Sequence, residues 1–304
     1  MRILNLFKNF IFNPQIRFSY LTELGLTRWM SDEHFLKKEY KLRMGYELDL
    51  NNPITYNEKI QWLKLYDRRS EYTRMVDKYA VKDYVRGIIG DEYIIPTLGV
   101  WDSFEEIDFS SLPNQFVLKC THDSGGLVIC KDKNAFDINA AKRKIKKCLK
   151  RKYFFIHREW PYKEVKPRII AEKYMEDSNT KELKDYKFFT FDGTPKAVFI
   201  AGDRQKENEE TKFDFFDMDF NHLNIENGHP NAKNIPDKPQ TFEQMKRIAS
   251  ILGKGIPHVR VDFYEVDGKL YFGELTFSHW SGMVPFEPVE WDGIFGNWIV
   301  LPKR

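Results

Sequence analysis

The chain has 304 residues, of which 42% are hydrophobic and 31% charged, with a formal net charge of +3. This composition is typical of a globular protein with a large core and predicts two lobes rather than one. The net charge is too small to indicate a nucleic-acid-binding protein, so we expect no nucleic-acid partner. No stretch approaches the roughly 20 apolar residues that a membrane-spanning helix needs.

The cysteines and the first residues bear on location. The chain has three cysteines, Cys120, Cys130 and Cys148, and they lack the spacing of zinc ligands. An odd number without that spacing predicts free thiols in a reducing, cytoplasmic compartment. Residues 1–12 are apolar and basic but have no small-residue cleavage site, unlike a signal peptide. We expect this segment to pack on the body of the protein. The alternative is peripheral association with the inner face of a membrane.

Helices are predicted up to about residue 70. Thr55 and Glu58 form a capping box before an apolar helical face, and a second helix is predicted over residues 71–86. The strands that follow are predicted over 115–120, 127–130, 168–175, 185–192 and 195–202, before a helix over 242–252. This interleaving predicts an α/β or α+β class with a mostly antiparallel sheet.

A basic stretch interrupts these elements. Between Lys142 and Arg168 there are 12 Lys and Arg residues against two acids. Its first half is typical of a solvated helix and its second half of an aromatic loop. Binding of an anionic glycan is the alternative interpretation, and we rank it below the solvated helix.

The stretch from Arg260 to Thr276 is the most informative part of the chain, because it reads as two strands carrying acids among apolar residues. Arg260 and Asp262 share one face of their strand, and so do Glu274 and Thr276. A two-residue turn would put Asp262 and Glu274 on opposite sides of the sheet. A three-residue loop, with Gly268 in a left-handed bulge, would place all four side chains on one face.

We predict the bulge at Gly268, because two carboxylates beside an arginine suit Mg²⁺ and phosphate. The alternative is a solvated hairpin face with a single Arg–Asp ion pair.

Other candidate site residues are individually weak signals. Lys119 precedes the glycine-bearing loop Ser124–Gly126, a pattern that can wrap phosphates but is more often a hairpin turn. The segment Glu172–Met175 ends a strand as a hinge would, although an edge strand looks the same. Asp185 and Lys187 share a strand face, where a simple ion pair is the alternative.

Two further motifs suggest competing functions. Asp217 and Asp219 form an Asp-x-Asp pair of the kind that metal-dependent glycosyltransferases use, although chance pairs are common. Arg204 follows an apolar strand and would place a cation at that strand's end.

The order of these motifs along the chain resembles that in the ATP-grasp superfamily and, within it, in the TupA-like (teichuronopeptide-biosynthesis) branch. The resemblance covers most of the chain, from about residue 53 to the C-terminus. The segments that carry it are Thr55–Trp62, Asp77–Val81, Phe116–Cys120, Ser124–Gly126, Asp185–Phe188, Arg260–Asp262 and Gly273–Phe277.

The resemblance implies an α+β ATP-grasp fold, in which two subdomains with mainly antiparallel sheets grip ATP after a helical N-terminal region. The implied boundaries are 1–70 for the helical region, 71–175 for the part with Lys119 and the glycine loop, and 176–304 for the part with the metal site.

The resemblance also implies a nucleotide site, with Lys119 at the α and β phosphates and the glycine loop closing over them. Adenine would lie at the hinge segment and the ribose near Asp185. The implied members are Lys119, Ser124, Gly125, Gly126, Glu172, Lys173, Tyr174, Met175, Asp185 and Lys187.

Asp262 and Glu274 would bind Mg²⁺ by the same resemblance. Thr276 stands where the wider superfamily has asparagine, so its hydroxyl would ligate the metal directly or hold a bound water. Arg260 would stabilise the transferring phosphoryl group, with Arg204 assisting.

The implied activity is an ATP- and Mg²⁺-dependent ligase that joins a carboxylate and an amine through an acyl phosphate. For this branch the expected partners are an amino acid or amine and an acidic, uronic-acid polysaccharide or sugar-nucleotide acceptor of a bacterial capsule or wall. The alternatives are a glycosyltransferase that uses Asp217 and Asp219, and a nucleotide- or glycan-binding protein without turnover.

Overall fold

The computed structural model describes residues 12–202 and 210–303 and is an α+β protein with antiparallel sheets. The predicted fold class is therefore confirmed. The helices are α1 (Pro14–Glu23), α2 (Asp32–Met44), α3 (Tyr56–Tyr66), α4 (Glu71–Val76), α5 (Ala80–Ile89), α6 (Ile138–Leu149), α7 (Phe154–His157), α8 (Phe242–Gly253) and α9 (Glu290–Trp298). The strands are β1 (Thr97–Trp101), β2 (Phe116–Cys120), β3 (Leu127–Cys130), β4 (Ile169–Lys173), β5 (Asp185–Phe191), β6 (Thr194–Gly202), β7 (Lys212–Phe216), β8 (His222–Leu223), β9 (Val259–Val266) and β10 (Lys269–Thr276).

The chain divides into two compact units, and each draws on separate parts of the sequence. The first contains residues 1–68, 152–160 and 278–304, and the second contains 69–151 and 161–277. The three sequence ranges expected from the resemblance remain a prediction. Among the described residues, no helix is both long and apolar enough to cross a membrane.

The first unit is helical. Its α3 begins at the predicted capping box, where the Thr55 hydroxyl accepts from the Glu58 amide and the Glu58 carboxylate accepts from the Thr55 amide. Lys59 on α3 donates to the carbonyls of Gly296 and Ile299 at the end of α9. These bonds tie α3 to the end of α9, where the Gly296 carbonyl also accepts from the Ile299 amide.

The second unit begins with a helix pair where the sequence predicted one helix over 71–86. The single helix is wrong, because the chain breaks between α4 and α5 at Asp77. The carboxylate of Asp77 accepts from the amides of Tyr79 and Ala80, at 2.9 and 3.2 Å, and thereby caps α5. The break carries Lys78, whose amide donates to the carbonyl of Thr121.

The smaller sheet of this unit has the strand order β1-β4-β2-β3. Alternate residues of β2 and β4, such as Leu118 and Ala171, lie in one apolar core with Ile145 of α6. Lys119 follows Leu118 in β2, and Glu172 follows Ala171 in β4. Both side chains therefore lie on the opposite face of the sheet.

The larger sheet has the order β10-β9-β5-β6-β7-β8 and packs one face on α8. Phe188, Val261 and Phe263 point into that core, together with Met245 and Leu252 of α8. Strand alternation sends Asp185, Lys187, Arg260 and Asp262 to the other face of the sheet.

The β9–β10 hairpin corrects one prediction and confirms another. Val266 pairs with Lys269, so the turn has two residues, Asp267 and Gly268, both with positive φ. The bulge predicted at Gly268 is wrong, since Asp-Gly is a strongly preferred pair for a two-residue turn of this kind. The register shifts instead between Phe272 and Glu274.

Gly273 is the extra residue of that bulge, and it corrects the register. Glu274 consequently pairs with Asp262 and Thr276 with Arg260. The bulge thus unites the four side chains by a different route from the predicted one. A Cβ at position 273 would lie 3.0 Å from the carbonyl oxygen of Asp262, which explains the glycine.

Candidate active site

Two carboxylates and one guanidinium form the centre of the site on β9 and β10. Arg260 donates from Nε to Asp262 Oδ1 at 2.7 Å and from Nη2 to Oδ2 at 2.8 Å. The Thr276 hydroxyl accepts from Arg260 at 3.1 Å and donates to Glu274 Oε1 at 3.3 Å. Asp262 is fully buried, whereas the side chain of Glu274 is 38% exposed. The bidentate pair therefore fixes Arg260, while Glu274 has only long contacts and an open side.

Lys187 and Asp185 extend this cluster along β5. Register places Lys187 opposite Asp262, and the two side chains form a short ion pair. Asp185 Oδ2 lies 3.5 Å from Lys187 Nζ. Burial lowers the pKa of Lys187, although Asp262 beside it favours the ammonium form. The predicted neighbours of ribose and phosphate thus lie on the same face as the predicted metal ligands.

Lys78, which the sequence analysis did not assign to the site, reaches it from the break between α4 and α5. Its Nζ lies 3.4 Å from Glu274 Oε2. Partial burial would raise the pKa of Glu274, but Lys78, Lys187 and Arg260 outweigh burial and hold that pKa well below its usual range. The sequence did contain one signal for Lys78, because Asp77–Lys78 belongs to a segment that carries the resemblance.

A second ionic cluster lies on the smaller sheet. Lys119 Nζ is 2.6 Å from Glu172 Oε2, and Lys82 Nζ of α5 is 2.5 Å from Glu172 Oε1. Burial would raise the pKa of Glu172, but the two ammonium groups outweigh it and lower that pKa to about 2. Lys82 was also missed, because helical periodicity gives no sign of a carboxylate on a distant strand.

The glycine loop joins β2 to β3, directly beyond Lys119. Ser124 and Gly125 are exposed, and Gly125 has a φ of +101° that favours glycine. Gly126 is buried, and a Cβ there would collide with the sulfur of Cys148. Cys148 also donates to the carboxylate of Asp123 at 2.6 Å, so the base of the loop is tightly packed.

The residues of the hinge segment, Glu172–Met175, lie in different environments. Lys173 is exposed, its amide donates to the Pro96 carbonyl, and the Tyr174 hydroxyl donates to Glu176 at 2.7 Å. Met175 is buried in a small apolar cluster with Ile95 and Val266. An apolar cluster of this kind can form one side of a site for a planar base.

Two predictions remain, Arg204 and the Asp217–Asp219 pair. Arg204 lies outside the residues that the structure describes. Both carboxylate oxygens of Asp217 are used in its own turn, by the amides of Asp219 and Asn221 and by the side chain of Asn221. This arrangement stabilises a loop, as Asx turns do.

The donor set fits Mg²⁺ shared with phosphate better than a metal held by protein alone. Within residues 12–202 and 210–303, no group of three or more His, Cys, Asp and Glu side chains could hold a metal ion. Mg²⁺ commonly takes one or two carboxylates and completes its shell with water and phosphate oxygens. Glu274 meets this need directly. Asp262 meets it only if Lys187 or Arg260 moves aside.

Comparisons with known proteins bear on the fold and the family. No curated protein matches the chain. Among solved structures, it is similar to D-alanine–D-alanine ligase from Bacillus anthracis, at 16% identity and a TM-score of 0.39, over 67% of this chain and 57% of that one. It is also similar to the ATP-grasp ligase PsnB, in complex with a phosphomimetic precursor variant, Mg and ADP, at 9% identity and a TM-score of 0.42, over 74% of this chain and 59% of that one.

The chain thus spans less than two thirds of the length of these two ligases. The family comparison reaches further, since the TupA-like ATPgrasp model matches residues 58–300. The predicted relationship is confirmed: the chain belongs to the TupA-like ATP-grasp family.

Proposed function

We propose that this protein is an ATP- and Mg²⁺-dependent ligase that joins a carboxylate to an amine through an acyl phosphate. The observation that carries the proposal is the β9–β10 register, which places Glu274 opposite Asp262 beside Arg260. Phosphoryl transfer needs charge neutralisation and alignment more than a protein nucleophile, and this site supplies charge in fixed positions.

The balanced reaction has two steps. A carboxylate oxygen of the acceptor attacks the γ-phosphorus of ATP, and the bond to the β–γ bridging oxygen breaks to release ADP. An amine nitrogen then attacks the acyl carbon, phosphate departs, and the nitrogen loses a proton to solvent. Mg²⁺, held by Glu274 and Asp262, would neutralise charge on the β and γ phosphates.

Each cation has a role that follows from its position. Arg260, fixed by its two bonds to Asp262, presents an oriented guanidinium to the transferring group. Lys119 and Lys78 would contact the phosphates from the smaller sheet and from the α4–α5 break. Lys187, already paired with Asp262, would turn to the nucleotide when the metal takes that carboxylate.

The nucleotide would lie between these groups and the apolar cluster. Adenine would rest on Met175, with backbone groups of Lys173 and Tyr174 at its edge, and Asp185 would face the ribose. Ser124, Gly125 and Gly126 would close over the phosphates, a movement that the exposed position of Ser124 and Gly125 permits.

For the acceptor we propose an acidic, uronic-acid polysaccharide of a bacterial capsule or its sugar-nucleotide precursor, with an amino acid or other amine as second substrate. The support comes from α6 and the residue that caps its end: the buried residues of the helix face the core, while Arg143, Lys144, Lys147 and the C-cap Lys150 are exposed. Such a surface attracts polyanions. ATP supply would place the reaction in the cytoplasm, at the inner face of the membrane if the precursor is lipid-linked.

Affinity for polygalacturonate tests the acceptor. Replacing these four cations by glutamine should weaken binding of the polymer and flatten its salt dependence, because the variant releases fewer counter-ions when it binds. Nucleotide affinity should not change. Unaltered polymer binding by the variant would contradict this acceptor.

A panel of uronic acids and amino acids, with release of ADP and phosphate as the measurement, tests the ligase. Glu274→Gln and Asp262→Asn should each lower turnover by about a hundredfold or more, as loss of one electrostatic group at a reacting centre commonly does. Glu243→Gln, at an exposed glutamate of α8, is the matched control. Turnover that survives both site variants would refute the assignment.

The glycosyltransferase alternative has less support, since the Asp217 carboxylate is occupied in its own turn. Binding of nucleotide sugars, loss of that binding on Asp217→Asn and no binding of ATP would reverse this ranking.

A further inference from the structure

We propose that Glu172 is a positioning residue: bridged to Lys82, it orients Lys119 towards the phosphates instead of reading the adenine base. The inference rests on the ligase proposed above, because it assumes a nucleotide at Lys119. It assigns a role to Lys82 and replaces the adenine contact that the resemblance implied for Glu172.

The geometry leaves the carboxylate little freedom. Each oxygen of Glu172 has its own ammonium group, Lys119 at 2.6 Å and Lys82 at 2.5 Å. Only 7% of the Glu172 side chain is exposed. Lys82 Nζ also donates to the carbonyl of Ile95 at 2.7 Å, which fixes the ammonium group from a second direction. A base amino group would have to displace a lysine to reach either oxygen.

Exposure distinguishes the two lysines. The side chain of Lys82 is 8% exposed, whereas that of Lys119 is 24% exposed. A lysine ammonium has three donors, so one bond to Glu172 leaves Lys119 others for a ligand. Lys82 is enclosed by the carboxylate and the carbonyl. The inner lysine therefore anchors the glutamate, and the outer one is presented to the ligand.

Charge balance explains why two lysines are present. A carboxylate paired with Lys119 alone would neutralise the cation that has to bind phosphate. With Lys82 added, the cluster of one anion and two cations keeps a net positive charge. Because Glu172 holds Lys119 in one rotamer, a phosphate need not pay the side-chain entropy of ordering a flexible lysine.

The test compares ADP with inosine diphosphate, which differs at the base by an oxo group in place of the 6-amino group. Isothermal titration of wild type and Glu172→Gln gives both affinities. Positioning predicts that the variant loses about three- to tenfold in affinity for both nucleotides, equivalent to ordering one long side chain. The ratio of the two affinities should stay at its wild-type value.

Two results would overturn the inference. An ADP-to-inosine-diphosphate ratio that changes in the variant would show that Glu172 contacts the base. Unchanged affinity for both nucleotides would show that Glu172 does not position Lys119. If the wild-type protein binds neither nucleotide, the proposed ligase itself is refuted. That result differs from the two results above, which would refute only the role of Glu172.

Glu105→Gln is the matched control. Glu105 also bridges two lysines, Lys142 at 3.0 Å and Lys146 at 2.6 Å, but its side chain is 48% exposed. We expect it to leave both affinities unchanged. A double-mutant cycle with Lys82→Gln guards against misfolding: if Lys82 acts through Glu172, the double variant should bind ADP no more weakly than Glu172→Gln alone. Additive losses would contradict the shared role.

Discussion

Lys78 is held by main-chain and side-chain contacts at a position that sequence spacing did not reveal. Its amide is bound to the Thr121 carbonyl, and its ammonium group lies beside Glu274. Lys78→Met should weaken nucleotide binding by about ten- to a hundredfold, the usual loss for a hydrogen bond to a charged group. Titration with ADP and Mg²⁺ measures the effect. Lys196→Met, at an exposed lysine of β6, should bind like wild type. Equal affinities for both variants would remove Lys78 from the site.

His258 makes stability depend on pH. It is buried, stacks on Phe189, packs at a tilt against Phe191, and contacts the Thr190 carbonyl through Nδ1. Burial lowers its pKa from 6.5 to about 3, so below pH 6.5 the unfolded chain binds a proton that the folded protein excludes. The stability that this neutral imidazole supports is present above pH 6.5 and falls as the pH decreases towards 3.

Urea unfolding at pH 7.5 and pH 5 checks this for wild type and His258→Phe. Between these values wild type should lose about 2 kcal/mol more than the variant, at about 1.4 kcal/mol for each pH unit below 6.5. The exposed His34, changed to Gln, provides the comparison. The same pH slope in wild type and His258→Phe would contradict the assignment.

At the scale of the element, the Gly273 bulge sets the register on which the metal ligands depend. Gly273→Ala would place a methyl group 3.0 Å from the Asp262 carbonyl oxygen and 3.2 Å from the Tyr264 ring. We expect a loss of about 1–3 kcal/mol in the free energy of unfolding, with weaker Mg²⁺-dependent nucleotide binding. Gly87→Ala, in α5 where no atom lies within 4 Å, should stabilise by about 0.5–1 kcal/mol. Similar unfolding curves for both variants would refute the steric argument.

The hairpin shows how far sequence reasoning extends. Alternation alone established which side chains of β9 share a face, and both carboxylates were identified as metal ligands from the residues before the resemblance assigned them to Mg²⁺. The position of the bulge did not follow, because a bulge depends on what the extra residue meets across the strands. At Gly273 it meets a carbonyl and a ring that belong to the facing strand. Lys78 and Lys82 escaped assignment for a related reason, since their partners lie on strands far along the chain.

At the scale of the whole molecule, a bound nucleotide should stabilise the fold by mass action. With Mg²⁺ and ADP at about a hundred times the dissociation constant, the gain is about 2.7 kcal/mol, or about 4 °C in Tm for a chain of this length. Calorimetry with and without EDTA measures the contribution of Mg²⁺, which should be the larger part if Glu274 and Asp262 share the metal with phosphate. A larger shift with a nucleotide sugar and Mn²⁺ would favour the glycosyltransferase instead.

The close packing between Gly126 and Cys148 makes that thiol a reporter of loop movement. Hydrogen bonding with Cys120, burial and the neighbouring Asp123 all raise the pKa of Cys148, so the thiol should resist alkylation while the loop stays packed on it. We expect iodoacetamide to reach the buried sulfur when the loop lifts away from it. The alkylation rate at Cys148, followed by mass spectrometry, would therefore time the opening of the loop, and Mg²⁺ with an ATP analogue should slow it. If nucleotide leaves the alkylation rate at Cys148 unchanged, the loop does not close over the phosphates.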